Sequence, residues 1–140
     1  MTCMLRASGV AFDVDDFVAA SPLVIHSSWR RGEKKFRGSA QEARMSSSGI
    51  RVIASAADFD EVTQQLSDAV QFLAANLEAI QRLSSFPGVE EVLLDFGVAI
   101  HPPGWASFTF PVELLKLAAE ARVAVAVSVY PSDEAQIVEP

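Results

Sequence analysis

Apolar and polar positions alternate through "LRASGVAF" and the pattern breaks at "DVDD". A period of two marks a strand with one buried face, so a first strand is predicted over residues 4–12. Asp13 then stands where a helix N-cap belongs, with Asp16 three residues on and Phe17 and Val18 opening an apolar face. A short helix over 14–20 follows and stops at Ser21-Pro22, because proline disfavours a helical residue before it. "LVIHSSWRR" reads as a second strand. From Gly32 to Gly49 the chain is rich in glycine and serine and poor in large apolar groups, which predicts a long hairpin connection. "IRVIASA" is a third strand, with Ile50, Val52 and Ala54 on one face.

The period then changes. In "DFDEVTQQLSDAVQFLAANLEAIQRLSSF" the residues Val62, Leu66, Ala69, Val70, Leu73, Leu77, Ile80 and Phe86 recur at helical spacing. Gln64, Gln65, Asp68, Gln71, Glu78 and Gln81 fall elsewhere, so one long amphipathic helix is predicted over 59–84. Asp58 with Glu61 forms a capping box at its start, and Pro87-Gly88 ends the segment. "EEVLLDFGVAI" is a fourth strand with Leu94, Phe96, Val98 and Ile100 facing one way, and "HPPGW" is a loop. "FPVELLKLAAEAR" is a third helix with Pro111 in its first turn. "VAVAVSVYP" is apolar on both faces, which predicts a strand inside the sheet rather than at its edge.

The order is βαββαβ followed by αβ. Its first six elements match the split βαβ, ferredoxin-like arrangement, a two-layer α+β sandwich with helices on one face of an antiparallel sheet. The added αβ unit makes one further crossover. With 140 residues, half of them apolar, the chain is expected to be a single domain over 1–140.

Charge sharpens this picture. The net charge is −7, yet residues 30–51 carry a local +5, leaving −12 for the rest. Cys3 is alone, so no intramolecular disulfide and no cysteine-based zinc spacing exists. The first residues lack a basic head followed by about seven apolar positions, and no apolar run approaches the ~18 residues of a membrane helix. A soluble, cytoplasmic protein with no membrane partner is expected.

The run "LRASGVAFDVDDFVAASPLVIHSSWRRGE", with its strand, acidic helix start, helix-ending proline and basic turn, resembles the bacterial family named domain of unknown function 4279. "FPVELLKLAAEARVAVAVSVYP" is similar to that family's closing helix and strand. The chain departs from the family at Ser21, before the proline turn, and in a third strand without an aromatic. The family has no established activity, so the resemblance implies fold and bacterial origin only.

"SSWRRGEKKFRGS" interleaves cations with a Trp and a Phe, a composition that can stack bases and neutralise phosphates, and equally one that keeps a hairpin edge from pairing. An overall acidic chain repels a polyanion within a Debye length of roughly 8 Å, which favours the hairpin. Gly32 and Gly38 enclose five residues rather than four, and no Gly-Lys-Ser/Thr follows, so this is no P-loop. "DVDD" fails as a calcium loop because Phe17, Val18 and Val24 stand at its fifth, sixth and twelfth positions. His26 and His101 have no ligand at metal-binding spacing, and no Gly-x-Ser-x-Gly elbow occurs. Asp95 sits in an otherwise apolar strand, either in a pocket with His26 and His101 or paired with an arginine such as Arg51 across the sheet. Trp29, Trp105, Phe108 and Phe110 either line a groove or pack in the core.

No catalytic, cofactor or metal motif emerges. The expectation is a binding protein with a protein partner, an immunity-type protein being one subclass, and self-association through a sheet edge a further outcome. Its interaction surface is Trp29, Arg30, Arg31, Lys34, Lys35, Phe36 and Arg37 with Trp105. The alternatives are single-stranded nucleic-acid binding through the hairpin 29–37, and an enzyme using Asp95 with His26 and His101.

Overall fold

A computed structural model describes residues 2–35, 43–100 and 107–131. It is a mixed α+β structure: β1 (Cys3–Gly9), α1 (Val14–Ala20), β2 (Ser27–Trp29), β3 (Ser48–Ser55), α2 (Val62–Ala75), α3 (Leu77–Ser84), β4 (Glu91–Ile100), α4 (Val112–Ala121) and β5 (Ala124–Pro131). The five strands form one sheet in the order β2-β3-β1-β4-β5. Every neighbouring pair is antiparallel except β4 with β5, which is parallel.

Alternation in β1 buries Cys3, Leu5 and Ala7 and leaves Met4, Arg6 and Ser8 half-buried. The same holds for Ile50, Val52 and Ala54 of β3 and for Val92, Leu94, Phe96 and Val98 of β4. All of these except Val98 meet the buried faces of α2, α3 and α4 in one core. The other face of the sheet carries the intervening side chains. No helix of the described residues is long and apolar enough to cross a membrane.

β1 stops at Gly9 rather than at residue 12, because Phe12 leaves the strand to join Phe17 and Phe86 in an edge-on aromatic cluster with centroids 5.2–6.0 Å apart. Gly9 allows that turn to press on the Pro87-Gly88 loop: a Cβ on Gly9 would lie 1.8 Å from the Gly88 carbonyl oxygen. α1 begins as expected, with Asp13 Oδ1 accepting from the Asp16 amide at 3.1 Å. β2 is shorter than "LVIHSSWRR". Leu23 dips into the core while Val24 is 84% exposed, so residues 23–26 do not run as a strand, and the His26 amide donates to Arg51 O at 2.8 Å.

The predicted single helix over 59–84 is broken in two at Asn76. The Asn76 side-chain amide donates to Phe72 O at 2.9 Å and its backbone amide to the same oxygen at 3.0 Å. An amide side chain competing for a helical carbonyl draws the backbone out of the helix, here to φ −117°. α3 can then turn onto α4, where Gln81 and Ser84 donate to the carbonyls of Glu120 and Ala121. The first turn also shifts: Glu61 Oε1 accepts from the Asp58 amide as in a capping box, but helical backbone begins only at Val62. Gln65, read as a polar-face residue, is fully buried, because its amide donates to Gly97 O at 2.9 Å and Asp58 O at 3.1 Å.

β5 was expected inside the sheet, and it lies at the edge. β4 already pairs with β1 on one side, so a strand delivered by the α4 crossover has only the outer side available. Its apolar residues are accordingly open, with Val129 52% and Tyr130 50% exposed. α4 ends on Arg122 at φ 61°, a left-handed conformation that closes the helix through Val123 N–H to Ala118 O at 2.8 Å. A side chain with a Cβ is strained there, so Arg122→Gly is expected to raise stability by about 0.5–1 kcal/mol in urea unfolding.

Candidate functional site

The face of the sheet without helices collects charge along one line. Arg6 of β1 stands directly opposite Arg51 of β3, and Met4 opposite Asp95 of β4. Arg6 Nη2 reaches diagonally to Asp95 Oδ2 at 2.9 Å. Ser128 of β5 donates to the same carboxylate, 2.8 Å from Oδ1 and 3.0 Å from Oδ2. Asp95 is thus the residue paired across the sheet, but its arginine is Arg6 rather than Arg51. Its side chain is only 14% exposed, and both oxygens are occupied.

Arg51 makes no ion pair among the described residues. Its guanidinium carbon lies 4.4 Å from the ring centroid of Trp29, a cation–π contact. Trp29 reaches that position because it opposes Gly49 at the end of β2, where a Cβ would fall 2.2 Å from the indole ring. Burial, and then the neighbouring charge of Arg6, pull the Arg51 guanidinium below its ordinary value. Two donors on this face are shielded from solvent without an acceptor: Arg6 Nε and Trp29 Nε1. Arg6, Trp29 and Arg51 line a cavity of about 190 Å³ together with Ser8, Glu91 and Leu93. At the other end of the face Phe59 covers Gly97 and meets Tyr130 at 5.3 Å.

The basic stretch forms a ladder. Gly32 N–H to Met45 O (2.9 Å), Met45 N–H to Glu33 O (2.8 Å) and Lys35 N–H to Ala43 O (2.9 Å) pair its two sides. Arg30 is held by Asp15, Nη2 to Oδ1 at 2.5 Å, and that hydrogen bond holds the Asp15 carboxyl below its ordinary range. Arg31, Lys34 and Lys35 are exposed. Trp29 does not project with them but lies on the sheet. Phe36, Arg37, His101 and Trp105 fall outside the described residues.

Asp95 and His26 are not brought together. His26 is exposed on the segment leading into β2, and three strand spacings separate that segment from β4, about 14 Å between backbones. Direct proton transfer needs about 3 Å. Phe110 packs on Phe96 at 5.5 Å in the core, whereas Phe108 lines a larger cavity of about 710 Å³ between α2 and the segment before α4. No group of three metal-ligating side chains occurs among the described residues. Burial, with the charges of Asp95 and Asp68 behind it, pushes the Cys3 thiol far up, so it stays protonated and unreactive.

Arg6 and Ser128 were missed in the sequence. The signal was present: in "CMLRASG" and "GIRVIAS" the period of two puts Arg6 and Arg51 on the face opposite Leu5 and Val52. What alternation cannot give is the register that sets them side by side.

Removing the Asp95 carboxylate leaves Arg6 without its counter-charge, directly opposite Arg51. Asp95→Ala is therefore expected to lower stability by about 1–3 kcal/mol in urea unfolding. A neutral result would show that solvent already screens the pair. In comparisons with known proteins, no family model, no curated protein and no solved structure matches this chain.

Proposed function

We propose that the chain is a non-catalytic cytoplasmic binding protein whose ligand is a protein with an acidic surface. The observation that carries this reading is the placement of charge. Arg31, Lys34 and Lys35 are exposed on a hairpin ladder at one edge of the sheet, while the chain outside residues 30–51 carries −12. A compact acidic partner can touch the hairpin alone, whereas a long polyanion would also run along acidic surface. A buried, unpaired cysteine fits a reducing compartment.

A ferredoxin-like core is part of the same proposal. Its support is the strand order β4-β1-β3-β2, antiparallel throughout, with α4 and β5 added beyond β4. Kinship with the domain of unknown function 4279 family rests on the likeness of residues 5–33 and 110–131, the segments that supply β1, α1, β2, α4 and β5.

Affinity capture with the tagged chain and with an Arg31→Ala, Lys34→Ala, Lys35→Ala variant tests the reading. A near-stoichiometric protein held by the unaltered chain and lost from the variant is expected. An identical set on both excludes the hairpin as the contact. Titration with labelled single-stranded DNA and RNA decides the alternative: if about five phosphates were bound, affinity would fall about a hundredfold between about 50 and 200 mM salt. Such binding would replace the protein partner by a nucleic acid.

A further inference from the structure

We infer that the cavity between Trp29, Arg51 and Arg6 is a binding site for an oxyanion, a phosphate or carboxylate group, on the helix-free face of the sheet. The buried side-chain atoms that lack partners there are both donors. Arg51 has its guanidinium stacked on Trp29 and no carboxylate within ion-pair reach among the described residues. Arg6 gives Nη2 to Asp95 and keeps Nε unbonded, and Trp29 Nε1, which can only donate, is also unbonded. Buried donors without acceptors are rare in native structures, and the side chains of Arg6 and Trp29 line the same cavity as the unpaired Arg51 guanidinium, a donor-rich lining that suits an oxyanion.

The register adds a second argument. Like charges directly opposite on neighbouring strands are destabilising, and Arg6 faces Arg51 at the centre of the sheet. Asp95 balances one of the two and also accepts from the Ser128 hydroxyl. Glu91 is exposed at the rim of the cavity and makes no ion pair among the described residues, so the cation left over is Arg51. The cavity, at about 190 Å³, holds roughly six times the ~30 Å³ share of one water in the liquid, enough for an oxyanion with an attached group.

This site goes beyond the protein-partner reading, since it requires no macromolecule. Its test uses the full chain with Trp105→Phe, which leaves Trp29 as the only indole. Inorganic phosphate, sulfate and acetate are titrated at constant ionic strength against chloride, with Trp29 fluorescence and melting temperature as readouts. Saturable binding with a dissociation constant of about 1 mM is expected, weakened at least about tenfold in Arg51→Met and severalfold in Trp29→Phe, which retains a ring but no donor and is read by melting temperature alone. If Trp29→Phe or Arg51→Met alters the circular dichroism, Arg51→Lys replaces it: a point charge without the planar fork should also bind more weakly. Phosphate and sulfate binding without acetate identifies a tetrahedral ligand group, and acetate binding as well identifies carboxylates; both support the site. No saturable change well above that concentration, or equal binding by Arg51→Met, overturns it. The hairpin variant Arg31→Ala, Lys34→Ala, Lys35→Ala should titrate like the unaltered chain, so this site and the partner reading fail separately.

Discussion

The antiparallel ladders that β1 makes with β3 on one side and β4 on the other decide which side chains meet on each face of the sheet. Because its own alternation is fixed, the ladder that sends Cys3, Leu5 and Ala7 into the core also sends Met4, Arg6 and Ser8 to the opposite face. A slip by one residue would put Arg6 among the helices, where an unpaired charge costs several kcal/mol. Register, core and the composition of the open face are therefore a single choice.

That choice has an electrostatic consequence. Arg6 lands opposite Arg51, and the rest of the open face is arranged around the two of them: Asp95 and Ser128 from the β4 side, Trp29 over Gly49 from the β2 side. Asp95 looked like an ionisable intruder in an apolar strand and is instead the counter-ion that lets Arg6 occupy the centre of the sheet. The arrangement leaves the Arg51 guanidinium without an ion-pair partner among the described residues and two buried N–H donors without acceptors. A sheet optimised for stability alone would favour an apolar or oppositely charged residue at position 51, and the proposed oxyanion site supplies a reason for the arginine.

Much of this was legible in the sequence where the physics is local. Alternation located β1, β3 and β4, the Asp13 cap and the Ser21-Pro22 stop bounded α1, and the order of elements gave a mixed α+β sheet. What escaped depends on contacts far apart in the chain. Gln65 sits at a position that helical periodicity alone makes polar and exposed, yet the carbonyls of Gly97 and Asp58 draw it into the core. Asn76 lies inside a continuous helical pattern, and only its side-chain competition for Phe72 O reveals the break. β5 has the apolar run of an interior strand, but connectivity leaves it the outer position. The hairpin cations drew attention through their density. The two arginines that matter for the open face are 45 positions apart in the sequence, and only the ladder makes them neighbours.

The central claim is that the Arg6–Arg51 pairing is kept for binding and not for stability. Urea unfolding of Arg51→Met, in chloride solution free of oxyanions, tests it most directly. Methionine keeps the packing on Trp29 and removes the repulsion, so the variant should be as stable as the unaltered chain or more stable by about 0.5–1 kcal/mol. A loss of more than about 1 kcal/mol would mean that the Arg51 guanidinium holds the fold together, and the open face would then need no ligand to explain it.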